Sequence, residues 1–346
     1  FMSNTKVSVI IPHWNGIDVL SECLDSLGKS TYKNIEIIVV DNASSDGSQD
    51  WIRSNHPNII LVQNKSNLGY AEGCNVGAKS SSGEYLIFLN NDTVQNENWI
   101  ESLVDFLNLN RDVAAVQPKI LNYFERTKFD YAGGCGGWID VLGFPFARGR
   151  LFLNLEKDEG QYEKIRPIFW ASGTALMIRK KMFIDLNGFD KTFFAHQEEI
   201  DLCWKIHLSG KEVWSVPTSV VYHKNAVTLP MFSRKKQYLN HRNSLLMMLT
   251  NYSLPMTLYL FPIRLSLEFV ALFYALFCFD ISHFIGIIQS LFWIITHPHI
   301  IVSRRIRTRK IRKLKDSKII KNMYWGSVVF DHYIRREKKS ADLIKE

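Results

Sequence analysis

Strand and helix patterns alternate through the first hundred residues, and this alternation constrains the fold more than any other feature of the 346-residue chain. The runs KVSVIIP, IEIIVVD, IILVQN and EYLIFLN are short, rich in β-branched residues and nearly unbroken in hydrophobicity, as strands buried on both faces are. Between them, DVLSECLDSLGKS sets Val19, Leu20, Cys23, Leu24 and Leu27 at helical spacing before a stop at Gly28. SQDWIRSN and AEGCNVGAKSS supply two further helices. Repeated units of this kind predict an α/β fold, a mainly parallel Rossmann-like sheet with helices on both faces. Ligands of such sheets gather at the carboxyl ends of the strands, where DNASSDGS and NND fall.

Beyond Trp99 the pattern loosens. GGCGGWIDVLGFPFARG is dense in glycine and aromatics and reads as a long irregular loop over a site. WASGTALMIRKKMF reads as a strand leading into a turn, QEEIDLCWKIHLSG as a helix with acids in its first turn, and KEVWSVPTSVVYH as extended chain ending in His223. A first domain over residues 1–250 and a helical region over 251–346 follow from the change of composition at Asn251.

That second region is apolar from Leu254 to Ser303, but Pro255, Pro262, Arg264, Glu268, Asp280, His283 and Pro298 interrupt it. A spanning helix needs about 20 apolar residues. Phe269–Phe279 and Phe284–Ile295 are shorter, which favours two helices lying in the membrane interface. Directly after them, RRIRTRKIRKLKDSK carries nine Lys or Arg against one acid. This stretch dominates the net charge of +8, and each of its cations contributes roughly 1 kcal/mol near an anionic leaflet. The expected partner is an anionic membrane surface. Nucleic acid is not expected, because the basic run lacks interleaved aromatics. Five cysteines scattered without a CxxC pair favour reduced thiols and a cytosolic setting, and the polar lead FMSNTK carries no secretory signal.

Asp41 follows one predicted strand and Asp92 another, so the topology brings two carboxylates to one rim. An acid there can accept from a base or ribose, or hold a divalent cation alongside substrate phosphates. In order and spacing, VSVIIPHWNG, IEIIVVDNASSDGS, NKSNLGYAEGCNVGA, EYLIFLNND, ASGTALMIRKKMF, LNGFDKTFFAHQEEIDLC, VVYH and YLNHRNSLLMM resemble the family-2 glycosyltransferases of the GT-A fold. The similarity is greatest to the bacterial rhamnosyltransferase-like branch, and it covers roughly residues 6–250.

The resemblance implies roles residue by residue. Pro12, His13, Trp14, Asn15, Asp41 and Asn42 would bind the nucleotide; Asn67, Gly69, Tyr70, Asn75 and Asn91 would line the donor site; Arg242 would stand near the diphosphate. NND takes the place of a D-x-D motif, with Asp92 and His223 as ligands of Mn²⁺ or Mg²⁺. In the family the second acid of an ED pair is the general base, which here selects Glu199, with Glu198 second and Asp201 a brace of the loop. The implied activity is inverting, metal-dependent transfer of a sugar, rhamnose among the candidates, from a dTDP- or UDP-linked donor. The implied acceptor is a lipid-linked saccharide at the cytoplasmic face of the membrane, in polysaccharide synthesis. Two alternatives remain open: a catalytically silent nucleotide-sugar-binding scaffold, and a processive synthase, against which the absence of Q-x-x-R-W counts.

Overall fold

The computed structural model describes residues 5–224 and 233–344. Strand β1 (Val7–His13) leads to helix α1 (Ile17–Gly28), β2 (Ile35–Asp41) to α2 (Ser48–Asn55), and β3 (Ile60–Gln63) to α3 (Gly69–Ser80). β4 (Tyr85–Leu89) then passes through the short β5 (Thr93–Gln95) to α4 (Trp99–Leu109) and β6 (Val113–Asn122). β1 pairs in parallel with β2 and β4, and β2 with β3. Alternate residues of each strand enter opposite apolar layers, as a two-residue period requires. Val7, Val9 and Ile11 share one layer with Leu20, Leu24, Trp99 and Leu103, while Ile10 shares the other with Cys74, Ala78 and Phe183. Gly77 lets α3 approach: a Cβ there would stand 2.4 Å from a methyl of Ile10.

The Gly-rich stretch is not an irregular loop. With the residues that follow it, it forms a four-stranded antiparallel sheet of β7 (Gly137–Ile139), β8 (Pro145–Ala147), β9 (Arg150–Leu151) and β10 (Asn154–Leu155). Strands of two or three residues are too short to show a period, and turn glycines such as Gly143 and Gly149, both at positive φ, dominate the pattern.

The chain then re-enters the main sheet with β11 (Arg166–Ile168) and β12 (Ala175–Arg179), followed by helix α5 (Lys180–Asp185) where a turn was expected. Helix α6 (Glu198–Leu208) and β13 (Glu212–His223) complete the order β11-β13-β6-β12-β4-β1-β2-β3. β12 runs antiparallel between β4 and β6, and β13 pairs in parallel with β6. The sheet is therefore mixed but mainly parallel, as expected.

After α7 (Arg234–Asn251) come α8 (Leu254–Phe277), α9 (Ile281–Thr296), α10 (Pro298–Ile311), α11 (Asp316–Ile319) and α12 (Val328–Tyr333). This region packs back on the sheet domain: Leu260, Ile319 and Met323 lie in one apolar cluster with Leu176, Trp204 and Met248. Helix α8 corrects the expectation of a short apolar segment. It runs 24 residues unbroken through Pro262, and by length and composition it could cross a membrane. Arg264 and Glu268 do not interrupt it because they lie on one face, buried and paired with each other. The opposite face presents Leu258, Tyr259, Phe273 and Phe277 to the outside. α9 and α10 meet at a bend of 72°.

Candidate functional site

Three groups of polar residues meet along the carboxyl rim of the main sheet. The first joins the loops after β1 and β2. The register sets His13 beside Asp41, and both are buried. Asp41 accepts from the amide of Gln49 at 2.7 Å and from the backbone N–H of Ser44. Asn15, at φ 56, donates its N–H to Ser44 Oγ and accepts from the N–H of Ser45. The Asn91 amide donates to His13 Nδ1, which leaves Nε2–H to donate to Ser48 Oγ, and Ser48 donates onward to Asp46. Burial lowers the His13 pKa against the pull of Asp41 and Asp46, so the ring is neutral. Asn42 bridges the carbonyl of Gly69 and the amide of Asn64. Pro12 packs near Gly73, and Trp14 is exposed outside this network.

The second group is made by β5 and β13. Their antiparallel pairing sets His223 opposite Thr93, and so beside Asp92. His223 Nε2 lies 3.0 Å from Asp92 Oδ1, and its Nδ1 lies 2.9 Å from Asp130 Oδ1. All three are buried. Burial works against a charged imidazole, but Asp92 and Asp130 outweigh it and lift His223 to about 10. Burial likewise works against the Asp92 carboxylate, and the His223 charge outweighs it, holding the group below its ordinary range. Asp92, His223 and Asp130 thus form one buried chain, the imidazole between two carboxylates.

Sequence reasoning missed Asp130. It lies in FDYAGG, beside the glycine-rich stretch, and no motif distinguishes it from a turn acid.

The third group stands at the start of α6. Phe194, His196 and Gln197 all adopt positive φ, a conformation costly for residues with a Cβ. This strained segment delivers Glu198 and Glu199 to the helix N-terminus. One carboxyl oxygen of each is buried without a hydrogen-bond partner among the described residues. Burial pushes Glu199 up to about 7, against backbone groups of its own turn and of Gly173. Burial and then the Glu199 charge push Glu198 well above the ordinary carboxylate range.

Gly173 and Thr174 connect the groups. Gly173 N–H faces Glu199, the Tyr70 hydroxyl donates to Gly173 O, and Asn90 N–H donates to Thr174 O. Gly173–Thr174 thus links Glu199 to Asn90, two residues before Asp92, while Asn91 reaches the His13 group.

Other expected site residues are engaged differently. Asn67 accepts from Gly69 N–H, in a turn where a Cβ on Gly69 would meet Phe194 O at 2.4 Å. Asn75 grips both backbone groups of Phe189. The Arg242 guanidinium is buried and donates to the carbonyls of Thr192 and Phe193 and to Asn243, so it holds the loop before α6 instead of standing free for a diphosphate. Its neighbour Asn243 donates to the carbonyls of Phe193, Ala195 and His196. Asp201 accepts from Lys205, Asn251 and Arg304, the bracing role expected of it.

The rim fits a divalent cation. Asp92 and His223 offer one carboxylate and one imidazole nitrogen side by side, donor types that suit Mn²⁺ or Mg²⁺ once the Nε2 proton shared with Asp92 is released. No cluster of three or more His, Cys, Asp or Glu ligands occurs among the described residues, so substrate oxygens and water would complete the shell.

Comparison with known proteins bears on this geometry. The model of glycosyl transferase family 2 matches residues 8–186. The O-antigen biosynthesis protein RfbC of Myxococcus xanthus is 28% identical over 232 residues, covering 64% of this chain and 17% of that protein. The N-acetylglucosaminyl-diphospho-decaprenol L-rhamnosyltransferase of Mycobacterium tuberculosis is 26% identical over 222 residues, covering 60% of this chain and 72% of that one. Among solved structures, the mannosyltransferase PcManGT from Pyrobaculum calidifontis, in complex with GDP-Man and Mn²⁺, superposes with a TM-score of 0.52 at 15% identity. The match covers 92% of this chain and 87% of that one, and it shows a common GT-A fold.

Proposed function

The chain belongs to glycosyl transferase family 2, and from that premise we propose an inverting sugar transfer in which Glu199 is the general base. The observation that carries this reading is the Glu198–Glu199 pair, each with a buried, unpartnered oxygen, at the rim where Gly173 meets Glu199 and Thr174 meets Asn90, two residues before Asp92. Burial raises both carboxyls and their mutual repulsion disfavours ionising both, so the pair holds a proton and offers one carboxylate near neutrality, where a base is most useful. The Glu199 carboxylate takes the proton of an acceptor hydroxyl while that oxygen bonds to the anomeric carbon. The bond to the diphosphate breaks on the opposite face, its electron pair leaving with the nucleotide, and one such displacement inverts the configuration. Pro12, His13, Trp14, Asn15, Asp41 and Asn42 would hold the base and ribose, with Asn67, Gly69, Tyr70 and Asn91 along the donor. Mn²⁺ or Mg²⁺ on Asp92 and His223 would supply neutralisation of the diphosphate charge.

The mycobacterial relative's name supports rhamnose as the sugar, carried on dTDP in our reading, and a polyprenyl-diphosphate saccharide as acceptor. The surface of α8 supports attachment along the membrane rather than through it. Its charged residues face the protein, Glu268 meeting His241 of α7 at 2.6 Å and Arg264 donating to the carbonyl of Leu142, and many of its aliphatic and aromatic residues face outward. Exposed Arg309 and Lys310 of α10 add cations for the anionic cytoplasmic leaflet.

The test is turnover on a panel of dTDP-rhamnose, UDP-hexoses and UDP-N-acetylhexosamines, with Mn²⁺ or Mg²⁺ and a polyprenyl-diphosphate saccharide. The expected result is one preferred donor and a product of inverted anomeric configuration. Nucleotide binding with no release of nucleotide diphosphate from any donor would overturn the enzymatic reading.

A further inference from the structure

We propose that Arg304, although it opens the basic stretch, is a positioning residue for the segment that carries Glu198 and Glu199, and not part of the membrane-binding charge. The inference rests on the reading of Glu199 as the base. Arg304 is 2% exposed, unlike Arg307, Arg309 and Lys310 on the outer side of the same helix. Its guanidinium spans the two ends of the catalytic segment. Nη1 pairs with Asp190 Oδ2 at 2.6 Å and Nη2 donates to Asp201 Oδ1 at 2.8 Å, while Nε meets Thr250 Oγ1 at 3.3 Å. The group also lies 4.7 Å from the centre of the Phe193 ring, inside the segment it closes.

The physical need for such a closure is visible in the backbone. Between Asp190 and Asp201 the chain holds Phe194, His196 and Gln197 at positive φ, and strained residues persist only where their surroundings over-determine them. Arg242 and Asn243 of α7 hold the carbonyls along the middle of the segment. Arg304 of α10 holds its ends. An arginine suits this place because its planar fork can serve two carboxylates at fixed separation, which a lysine ammonium cannot do. Both carboxylates have further partners: Thr192 N–H donates to Asp190, and Lys205 and Asn251 donate to Asp201. The removal of Arg304 would therefore loosen the closure without stripping either acid of every contact.

The experiment compares full-length Arg304→Gln, Arg304→Lys, Asp190→Asn and the double variant Arg309→Gln/Lys310→Gln with the unaltered chain. Three quantities are read: hydrogen exchange of the amides of residues 191–199, kcat and donor KM, and sedimentation with vesicles containing phosphatidylglycerol. Arg304→Gln is expected to speed exchange in 191–199 and to lower kcat by up to ~10²-fold, the cost of a misplaced catalytic group. Donor KM and vesicle binding should stay near their original values, and Arg304→Lys should recover part of the loss. Arg309→Gln/Lys310→Gln should weaken sedimentation and leave exchange in 191–199 as it was.

Unchanged exchange in Arg304→Gln, or a loss of vesicle binding matching that of the double variant, would overturn the proposal. If Arg304→Gln does not fold, Asp190→Asn removes one arm of the closure and must itself speed exchange, or the proposal fails. Glu199→Gln separates the two readings. Should it leave kcat intact, the assignment of the base is wrong, whatever Arg304 does to the segment. Should it abolish turnover while Arg304→Gln loosens the segment at full kcat, the positioning role is wrong.

Discussion

The two sides of the site are built by opposite means. Asp92 and His223 are placed by backbone pairing: β5 and β13 are in register from Thr93–His223 to Gln95–Val221, and a strand end cannot move without breaking that ladder. Glu198 and Glu199 follow a segment with three non-glycine residues at positive φ, held by side chains of α7 and α10. The first side is rigid because the sheet is rigid. The second is only as ordered as the contacts around it, and those come from helices at least 35 positions further along the chain. A catalytic carboxylate on such a segment can be tuned by distant residues, whereas a ligand on a strand end cannot.

The largest expected effect lies on the segment side. Glu199→Gln keeps the shape and removes the base, so the transfer rate should fall by ~10²–10⁴-fold with donor binding retained. In the unaltered protein the rate should rise with pH through about 7, because only the ionised Glu199 accepts a proton and burial has raised it to that point. A pH–rate profile flat between 5 and 9 would remove Glu199 from the chemistry.

On the strand side, Asp130→Asn should weaken Mn²⁺ binding by ~10–100-fold, the usual penalty for losing the carboxylate behind a ligating histidine. Titration calorimetry with Mn²⁺ and nucleotide would measure it, and an unchanged affinity would mean that Asp130 only fills space.

Smaller effects sharpen the contrast further. Asn243→Ala strands the carbonyls of Ala195 and His196, leaves that of Phe193 to Arg242, and should cost about 1–3 kcal/mol in stability by denaturant titration, with exchange rising first in residues 193–196. An equal rise throughout the sheet would show that the segment is no less stable than the strands. Lys310→Gln, on the exposed face of α10, should weaken binding to anionic vesicles by roughly 1 kcal/mol and fade as salt is added.

The four early strands were legible because each is a continuous apolar run between helical periods; β1 and β4 are buried on both faces, while β3, at the edge of the sheet, is partly exposed. Asp41, Asp92 and the Glu198–Glu199 pair were legible because polar residues at strand ends and helix starts stand out against such runs. The small antiparallel sheet was hidden because its strands are shorter than any period. Helix α8 was hidden because Arg264 and Glu268 look like interruptions until their shared face is known. Arg242 was expected near the diphosphate, and its guanidinium also donates to loop carbonyls, Asn243 and Tyr238; a donor's partners cannot be read from the donor alone.

What the sequence by itself determined, then, is the alternation that builds the sheet, the rim where polar groups collect, and the family to which the chain belongs. Only the tertiary structure decided which of those groups touch. It joined Asp130 to His223 across 93 positions and Arg304 to Asp201 across 103. The reason is physical: local sequence sets backbone conformation and the buried face. The partner of a buried charge is set by whichever distant element supplies the opposite charge where water has been excluded.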